Sequence, residues 1–130
     1  MKALIVDDSR TLRMMVGRYL REAGFETAEA GDGQAAYDAL SAAPDAYQLA
    51  LVDWNMPVMT GIEMVRLARA DARLARLPII MVTTETEMEQ MAAALAAGAN
   101  EYVMKPFTRE ALLEKIQMVG LPVTLPAGAR

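Results

Sequence analysis

Cysteine and histidine are both absent from the 130 residues of this chain. Without cysteine the chain has no disulfide, no thiolate ligand for zinc and no thiol nucleophile. Without histidine it has no imidazole to act as a general base, as a metal ligand or as a carrier of phosphate. A covalent phosphate would therefore sit on a carboxylate or a hydroxyl. A metal ion would be held by oxygen atoms, which favours magnesium, calcium or manganese.

Long apolar runs and an excess of positive charge are missing as well. A membrane-spanning helix needs about 20 consecutive apolar residues, and a secretory signal needs a longer apolar region than the one ended here by Asp7-Asp8. We therefore expect a cytoplasmic protein with no membrane partner. The net charge of −4 argues against nonspecific binding to DNA or to anionic lipid, so nucleic acid is not an expected partner.

Hydrophobic residues make up 54% of the chain, which is ample for the core of one domain. Apolar runs of strand length alternate with stretches of helical period, and this pattern is typical of a doubly wound α/β domain. The predicted strands are Lys2–Asp7, Phe25–Ala30, Leu49–Asp53, a fourth that starts at Pro78, and Glu101–Met104. The predicted helices run from Ser9 to Ala23, from Asp32 to about Ala43, from Thr60 to about Ala70, from Glu85 to Ala97, and onward from a cap at Thr108.

Connections of helical length imply that the five strands form one parallel sheet. The expected strand order is 2-1-3-4-5, the order of flavodoxin-like folds. The second strand is the most polar, which suits an edge position. Residues 1–120 are predicted to form the domain, and residues 121–130, with two prolines, a loose C-terminal tail.

Polar residues follow four of these strands at their carboxyl ends. They are Asp7-Asp8, Asp53, Thr83-Thr84 and Lys105. In an open parallel sheet these ends lie along one edge, where ligands bind. Each residue alone has an ordinary structural explanation, such as a helix cap, a strand residue or a surface lysine. Together, three crowded carboxylates repel one another unless a cation offsets their charge, which predicts a divalent cation held by oxygens at this edge.

The chain resembles the receiver domain of two-component response regulators, and in particular the stand-alone receivers of chemotaxis. The resemblance is carried by Asp7-Asp8, by Asp53-Trp54-Asn55-Met56-Pro57, by Thr83-Thr84 and by the run from Tyr102 to Phe107. It covers residues 2 to about 119. It implies a monomeric signalling protein that accepts a phosphoryl group from a histidine kinase or phosphotransfer protein. The phosphorylated protein then changes its affinity for a protein target in chemotaxis or phosphorelay signalling.

The resemblance also implies a role for each residue of the phosphorylation site. Asp53 is the phosphoacceptor. Asp8, Asp53 and the backbone carbonyl of Asn55 ligate magnesium, with manganese as a possible substitute, and Asp7 orients a metal-bound water. Asn55 and Glu85 stand where side chains influence the loss of phosphate to water. The protein is then not an enzyme, although it assists its own phosphoryl transfer and dephosphorylation.

Further residues are implied to carry the switch. Lys105 contacts the acyl phosphate, and its bond to Pro106 is cis in the family. Thr83 bonds the phosphoryl group, and Tyr102 turns inward when Thr83 moves. The output surface is formed by the fourth helix, the fifth strand and the fifth helix.

Methionines near that surface have two interpretations, which the sequence leaves open. Met88 and Met91 are three residues apart and share a helix face. Together with Tyr102, Met104 and Met118 they form either an adaptable docking patch or filler for gaps in the core. Acidic residues stand early in the fourth helix where motor-binding relatives carry lysines. Near the first helix, Arg10 and Met14 stand where receivers meet kinases, although ordinary surface positions explain them equally well.

Three other functions compete with this interpretation. A phosphohydrolase of the haloacid dehalogenase type also forms an aspartyl phosphate, but it needs a second aspartate where Asn55 stands. A flavodoxin-like nucleotide binder would have a glycine-rich loop after the first strand, where the chain has Asp7-Asp8 instead. The third is a receiver fragment of a longer transcriptional regulator, with the tail as the start of a linker.

Overall fold

The computed structural model describes residues 1–84 and 91–123. Its strands are β1 (Lys2–Val6), β2 (Glu26–Ala30), β3 (Leu49–Asp53), β4 (Ile79–Thr83) and β5 (Glu101–Met104). Its helices are α1 (Arg10–Glu22), α2 (Gly33–Ala42), α3 (Gly61–Ala70), α4 (Met91–Ala97) and α5 (Arg109–Met118), and a short 3-10 helix spans Ala72–Leu74. The predicted start of the fourth helix, Glu85, lies outside the described residues.

The five strands form one parallel sheet in the order β2-β1-β3-β4-β5, which confirms the predicted fold class. The central strands β3 and β4 are buried along their whole length, whereas the edge strand β2 is mostly part-exposed. The register aligns Asp53 with Val82 and Thr83 with Met104. The carboxyl ends of the central strands therefore lie at one level, and the predicted polar residues stand at those ends.

Local signals in the sequence place the helix ends to within about one residue, in line with the usual ambiguity at helix termini. The Ser9 hydroxyl accepts a hydrogen bond from the Leu12 N–H and caps α1. Thr60 and Glu63 form the predicted capping box of α3. Gly24 follows α1 with a φ of 99°, a left-handed conformation that glycine adopts without a steric penalty. The 3-10 helix after α3 was not predicted.

The core lies in two layers, one on each face of the sheet, because alternate residues of a strand point to opposite sides. One layer packs strand residues such as Leu4 and Met81 against α2, α3 and α4. The other packs strand residues such as Ile5 and Leu51 against α1 and α5. Among the described residues, no helix is long and apolar enough to cross a membrane.

Residues 121–123, the first part of the predicted loose tail, pack against the domain. Val123 is buried in the layer of α1 and α5, and Leu121 packs against the same layer. The Val123 carbonyl accepts a hydrogen bond of 2.7 Å from the Gln117 side chain. These apolar side chains gain from burial, which explains their order. Residues 124–130 lie outside the described part of the chain.

Candidate functional site

Three aspartates meet at the carboxyl edge of the sheet. Asp53 is the last residue of β3, and Asp7 directly follows β1; their exposed fractions are 5% and 4%. Asp8 is exposed. One carboxylate oxygen from each of the three lies within 4.8 Å of the others. The structure thus brings together the three side chains that sequence analysis assigned to a cation site.

Lys105 supplies the positive charge of this site from the loop after β5. Its Nζ lies 3.0 Å from Oδ1 of Asp53 and 3.4 Å from Oδ2 of Asp7. The Lys105–Pro106 peptide bond is cis. The Lys105 N–H donates to the Thr83 carbonyl at 2.6 Å. Lys105 is therefore held at the level of the central strand ends, with its ammonium between two carboxylates.

Burial dominates the electrostatics of Asp53 and raises the pKa of its carboxyl from 3.8 to about 6. The bond from Lys105 lowers this pKa, and the charges of Asp7 and Asp8 raise it further. Burial also acts to lower the pKa of Lys105, but its contacts with Asp53 and Asp7 outweigh that effect and raise it overall. At neutral pH the site therefore holds an ammonium beside the Asp53 carboxylate, which burial makes costly to keep ionised.

The donor set fits a hard divalent cation. The formal charges of the three aspartates and the Lys105 ammonium sum to −2. A divalent cation would balance that charge. All these donors are oxygens, which suit magnesium or manganese. The charges of Asp7 and Asp8 add to the effect of burial in raising the pKa of Asp53, and a bound cation would oppose all three effects.

Backbone hydrogen bonds tie the β3–α3 loop, which follows Asp53, to the end of the sheet. The Trp54 N–H donates to the Val82 carbonyl at 2.9 Å, and the Gly61 N–H donates to the Trp54 carbonyl at 3.1 Å. Asn55 is exposed beside Asp53 in this loop. A Cβ atom at Gly61 would collide with the Asp53 carbonyl oxygen. Glycine is therefore required where α3 begins against the end of β3.

Thr83 and Tyr102, the predicted switch residues, stand on the neighbouring strands β4 and β5. Thr83 is fully buried at the end of β4, and its hydroxyl donates to the Thr84 carbonyl at 3.4 Å. Tyr102 is partly buried on β5, with Nζ of Lys115 4.7 Å from the centre of its ring. Met104, which pairs with Thr83 in the sheet, is 39% exposed.

The predicted docking methionines separate into two groups. Met91 is only 7% exposed, at the start of α4, which for this residue favours the core-filling interpretation over the docking one. Met118 is 65% exposed on α5. Met88, like Glu85, lies outside the described residues. On α1, Arg10 and Met14 are both exposed, as the kinase-facing and the ordinary surface interpretations alike require.

Sequence analysis missed one residue of this region, Arg13 of α1. Its Nη1 donates to the Asp7 carbonyl oxygen at 2.6 Å, and its Nε donates to Glu29 at 2.8 Å. A signal was present, because Arg13 stands three and seven residues before Val16 and Leu20, on the buried face of the helix. An arginine at that spacing indicates an internal partner for its guanidinium.

The fold and the site together define a flavodoxin-like α/β domain with an acidic, lysine-containing site at the carboxyl edge of its sheet. The chain belongs to the response regulator receiver domain family, whose pattern it matches over residues 3–117.

Curated relatives are similar over almost their whole length. The chemotaxis protein CheY of Pseudomonas aeruginosa is 48% identical over 120 residues, which cover 92% of this chain and 95% of that protein. The chemotaxis protein CheY-3 of Vibrio cholerae is 43% identical, with coverage of 92% and 91%. The solved structure of Vibrio cholerae CheY4 at low pH superposes with a TM-score of 0.84 at 41% identity, and the match covers 91% of this chain and 97% of that one.

These similarities identify the chain as a CheY-like response regulator receiver and do not favour the phosphohydrolase or transcriptional-regulator alternatives. The family consists of signalling proteins, which interact with a histidine kinase or phosphotransfer protein and with a downstream target.

Proposed function

We propose that Asp53 accepts a phosphoryl group from the phosphohistidine of a histidine kinase or phosphotransfer protein. The observation that supports this most directly is the buried Asp53 carboxylate, 3.0 Å from the Lys105 ammonium and within 4.8 Å of two further aspartates. An Asp53 oxygen attacks phosphorus, the P–N bond of the donor breaks, and the imidazole leaves as an acyl phosphate forms. The donor phosphohistidine must lie outside these 130 residues, since they contain no histidine.

Asp7, Asp8, Asp53 and the backbone carbonyl of Asn55 would hold magnesium, or manganese in its place. When bound, the ion supplies positive charge that offsets the carboxylates and the phosphoryl oxygens. Within that set, Asp8 and Asp53 are proposed as direct ligands, and Asp7, already bonded to the Ser9 N–H at 2.8 Å, orients a water. Lys105 would offset the negative charge of the incoming phosphoryl group from another side, because its ammonium already lies against Asp53.

Thr83 is proposed to bond one phosphoryl oxygen and thereby to shift Tyr102 inward. The two residues stand on the neighbouring strands β4 and β5, which supports a coupling between them. The proposed output surface is then the face of α4, β5 and α5, with Tyr102, Met104 and Met118 on its β5 and α5 part. Since the named relatives are chemotaxis proteins, we propose chemotaxis or phosphorelay signalling as the setting.

Water removes the phosphate from Asp53 at a rate that Asn55 and Glu85 modulate. The exposed position of Asn55 beside Asp53 supports its part in this proposal. Exchanging Asn55 for lysine or alanine should change the lifetime of the phosphate while leaving its attachment intact. The lifetime is measured as phosphate release after the donor is removed.

The proposed transfer is tested with a radiolabelled, autophosphorylated histidine kinase as donor. Label should pass to this chain with magnesium present, should not pass when EDTA removes the metal, and should not pass to Asp53→Asn. Lys105→Met serves as an intermediate case, because it keeps the acceptor and loses the ammonium. Transfer that is unaffected by EDTA would rule out the proposed cation, and transfer to Asp53→Asn would rule out the acceptor.

A further inference from the structure

Arg13 links the edge strand β2 to the aspartates at the end of β1. Its guanidinium donates both to the Asp7 carbonyl oxygen, at 2.6 Å, and to the Glu29 carboxylate, at 2.8 Å. Only 18% of the Arg13 side chain is exposed. A guanidinium is planar and presents its donors in a fixed fork, so two acceptors on different elements hold it in one orientation.

The other polar atoms of Asp7 are already engaged. Its N–H donates to the Ala30 carbonyl at 3.1 Å. Its Oδ1 accepts from the Ser9 N–H at 2.8 Å, and its Oδ2 lies 3.4 Å from the Lys105 ammonium. Arg13 therefore completes the set by bonding the backbone carbonyl.

The Asp7 carbonyl and the Asp8 N–H belong to one planar peptide group. A hydrogen bond to that carbonyl fixes the rotation of the plane, and the plane sets the direction in which the Asp8 side chain leaves the backbone. We propose that Arg13 is a positioning residue for the cation site: it holds the Asp7–Asp8 peptide group so that both carboxylates face Asp53. This inference rests on the proposed magnesium function.

The charge of Arg13 would act in the opposite direction. A fixed positive charge beside a cation site weakens cation binding by Coulomb repulsion, so its removal would tighten binding. Loss of positioning would weaken binding, because replacing residues that orient metal ligands typically lowers the metal affinity by about 10- to 100-fold. The sign of the change in magnesium affinity therefore decides between the two effects.

Magnesium chloride is titrated into the wild-type protein, Arg13→Gln, Arg13→Lys and Glu29→Gln. The fluorescence of Trp54, the one tryptophan in the chain and the neighbour of Asp53, reports binding, and the rise in melting temperature with magnesium is the second readout. We expect Arg13→Gln to bind magnesium about 10-fold more weakly. Arg13→Lys should lose some affinity, because an ammonium cannot serve both acceptors at once. Its loss should be smaller than that of Arg13→Gln, because the ammonium can still donate to the Asp7 carbonyl. Glu29→Gln should show the smallest loss, since it keeps the bond from Arg13 to Asp7.

Arg18→Gln is the matched control, because Arg18 is an exposed arginine of the same helix; its affinity should equal that of the wild type. If Arg13→Gln does not fold, Arg13→Lys carries the test, and a wild-type affinity in it overturns the proposal. If a folded Arg13→Gln binds magnesium as tightly as the wild type or more tightly, the proposal is also overturned. When Arg13→Gln is phosphorylated by acetyl phosphate, the magnesium concentration that gives half of the maximal rate should be higher than for the wild type. The rate at saturating magnesium should stay near the wild-type value. If the wild type itself shows no response to magnesium, the proposed cation site fails instead.

Discussion

At the scale of single residues, Asp53 combines deep burial with a carboxylate that must be ionised to act as a nucleophile. Its pKa in the folded protein, about 6, is higher than the ordinary value of 3.8. The folded state therefore binds this proton more tightly than the unfolded state does. Below pH 4 the group costs no stability, and as the pH rises through 6 its ionisation in the interior destabilises the fold.

Asp53→Asn should accordingly stabilise the metal-free protein above pH 7, by about 1–3 kcal/mol, because each unit of pKa shift corresponds to about 1.4 kcal/mol. The gain should disappear below about pH 4, where both folded and unfolded carboxyls are protonated. Urea unfolding at a series of pH values measures this difference. Added magnesium should reduce the gain at high pH, and a stability difference that is independent of pH would contradict the assignment of the raised pKa to Asp53.

Val58 shows backbone strain beside the same site. It has a φ of 68° and is 82% exposed. A β-branched residue in the left-handed region is strained by of order 1–3 kcal/mol. Asparagine tolerates this conformation, so Val58→Asn should raise the free energy of unfolding by about 1 kcal/mol.

Val58→Thr is the control for that substitution, because threonine keeps the branched Cβ and gains only an exposed hydroxyl. Thermal melts of the wild type and the two variants measure the effect, and the stability of Val58→Thr should match that of the wild type. Equal stability of all three proteins would show that the strain is not expressed in solution.

At the scale of elements, caps and turn residues made most boundaries predictable. Ser9, Thr60 and Thr108 each accept a backbone N–H three residues later, at the helix starts that the sequence indicated. These signals are local, so they can be recognised without tertiary contacts. The burial of Met91 was open because a helix face is assigned to the core or to solvent only by what packs against it. Arg13 was missed for a related reason, since its two acceptors come from other elements.

Arg69 of α3 is a second long-range contact that periodicity does not predict. Its guanidinium donates to the carbonyl oxygens of Gly98, Leu74 and Leu77 and to the Asn100 side chain, at 2.6–2.9 Å. Burial lowers the pKa of this guanidinium. One side chain thus joins the end of α3 to the start of β4 and to the turn after α4.

Arg69→Ala should therefore destabilise the protein by about 2–4 kcal/mol, because several partly buried carbonyls lose their donor. Arg66→Ala, which removes an exposed arginine from the same helix, should change stability by less than about 0.5 kcal/mol. Chemical denaturation of the two variants and the wild type gives the comparison. Equal costs for the two substitutions would contradict the role assigned to Arg69.

At the scale of the whole molecule, the strand order turns separate sequence motifs into one site. Asp7, Asp53 and Lys105 are separated by 46 and 52 positions in the chain, yet Lys105 contacts both aspartates. The alternation of strands and helices predicted the parallel sheet, and the general rule for ligand sites predicted the edge. Crowding of the carboxylates predicted a raised pKa, but the sequence could not show that burial by the assembled domain is the largest cause of the raised pKa of Asp53.

The proposed switch would also be a property of the whole molecule, because Asp53 ends β3 whereas the proposed output surface includes β5 and α5. A hydrogen bond to a charged group contributes about 1.5–3 kcal/mol, and a complete change from 1:99 to 99:1 needs roughly 5.5 kcal/mol. One bond from Thr83 therefore biases the equilibrium without completing the switch.

Thr83→Ala should retain beryllofluoride binding at Asp53, followed by Trp54 fluorescence, and lose most of the accompanying NMR shifts of Tyr102 and Met104. Thr83→Ser keeps the hydroxyl and should retain both responses. Full NMR shifts in Thr83→Ala would mean that the signal leaves the site by another route.

We propose that phosphate is carried as an acyl phosphate on Asp53, and chemical trapping of that bond is the sharpest test of this role. The phosphorylated protein is reduced with borohydride, which converts an aspartyl phosphate to homoserine, and its peptides are sequenced by mass spectrometry. We predict homoserine at position 53 and nowhere else, only in protein phosphorylated in the presence of magnesium. Intact aspartate at position 53 in protein that demonstrably carries phosphate, or homoserine at Asp7 or Asp8 instead, would show that Asp53 is not the phosphoacceptor.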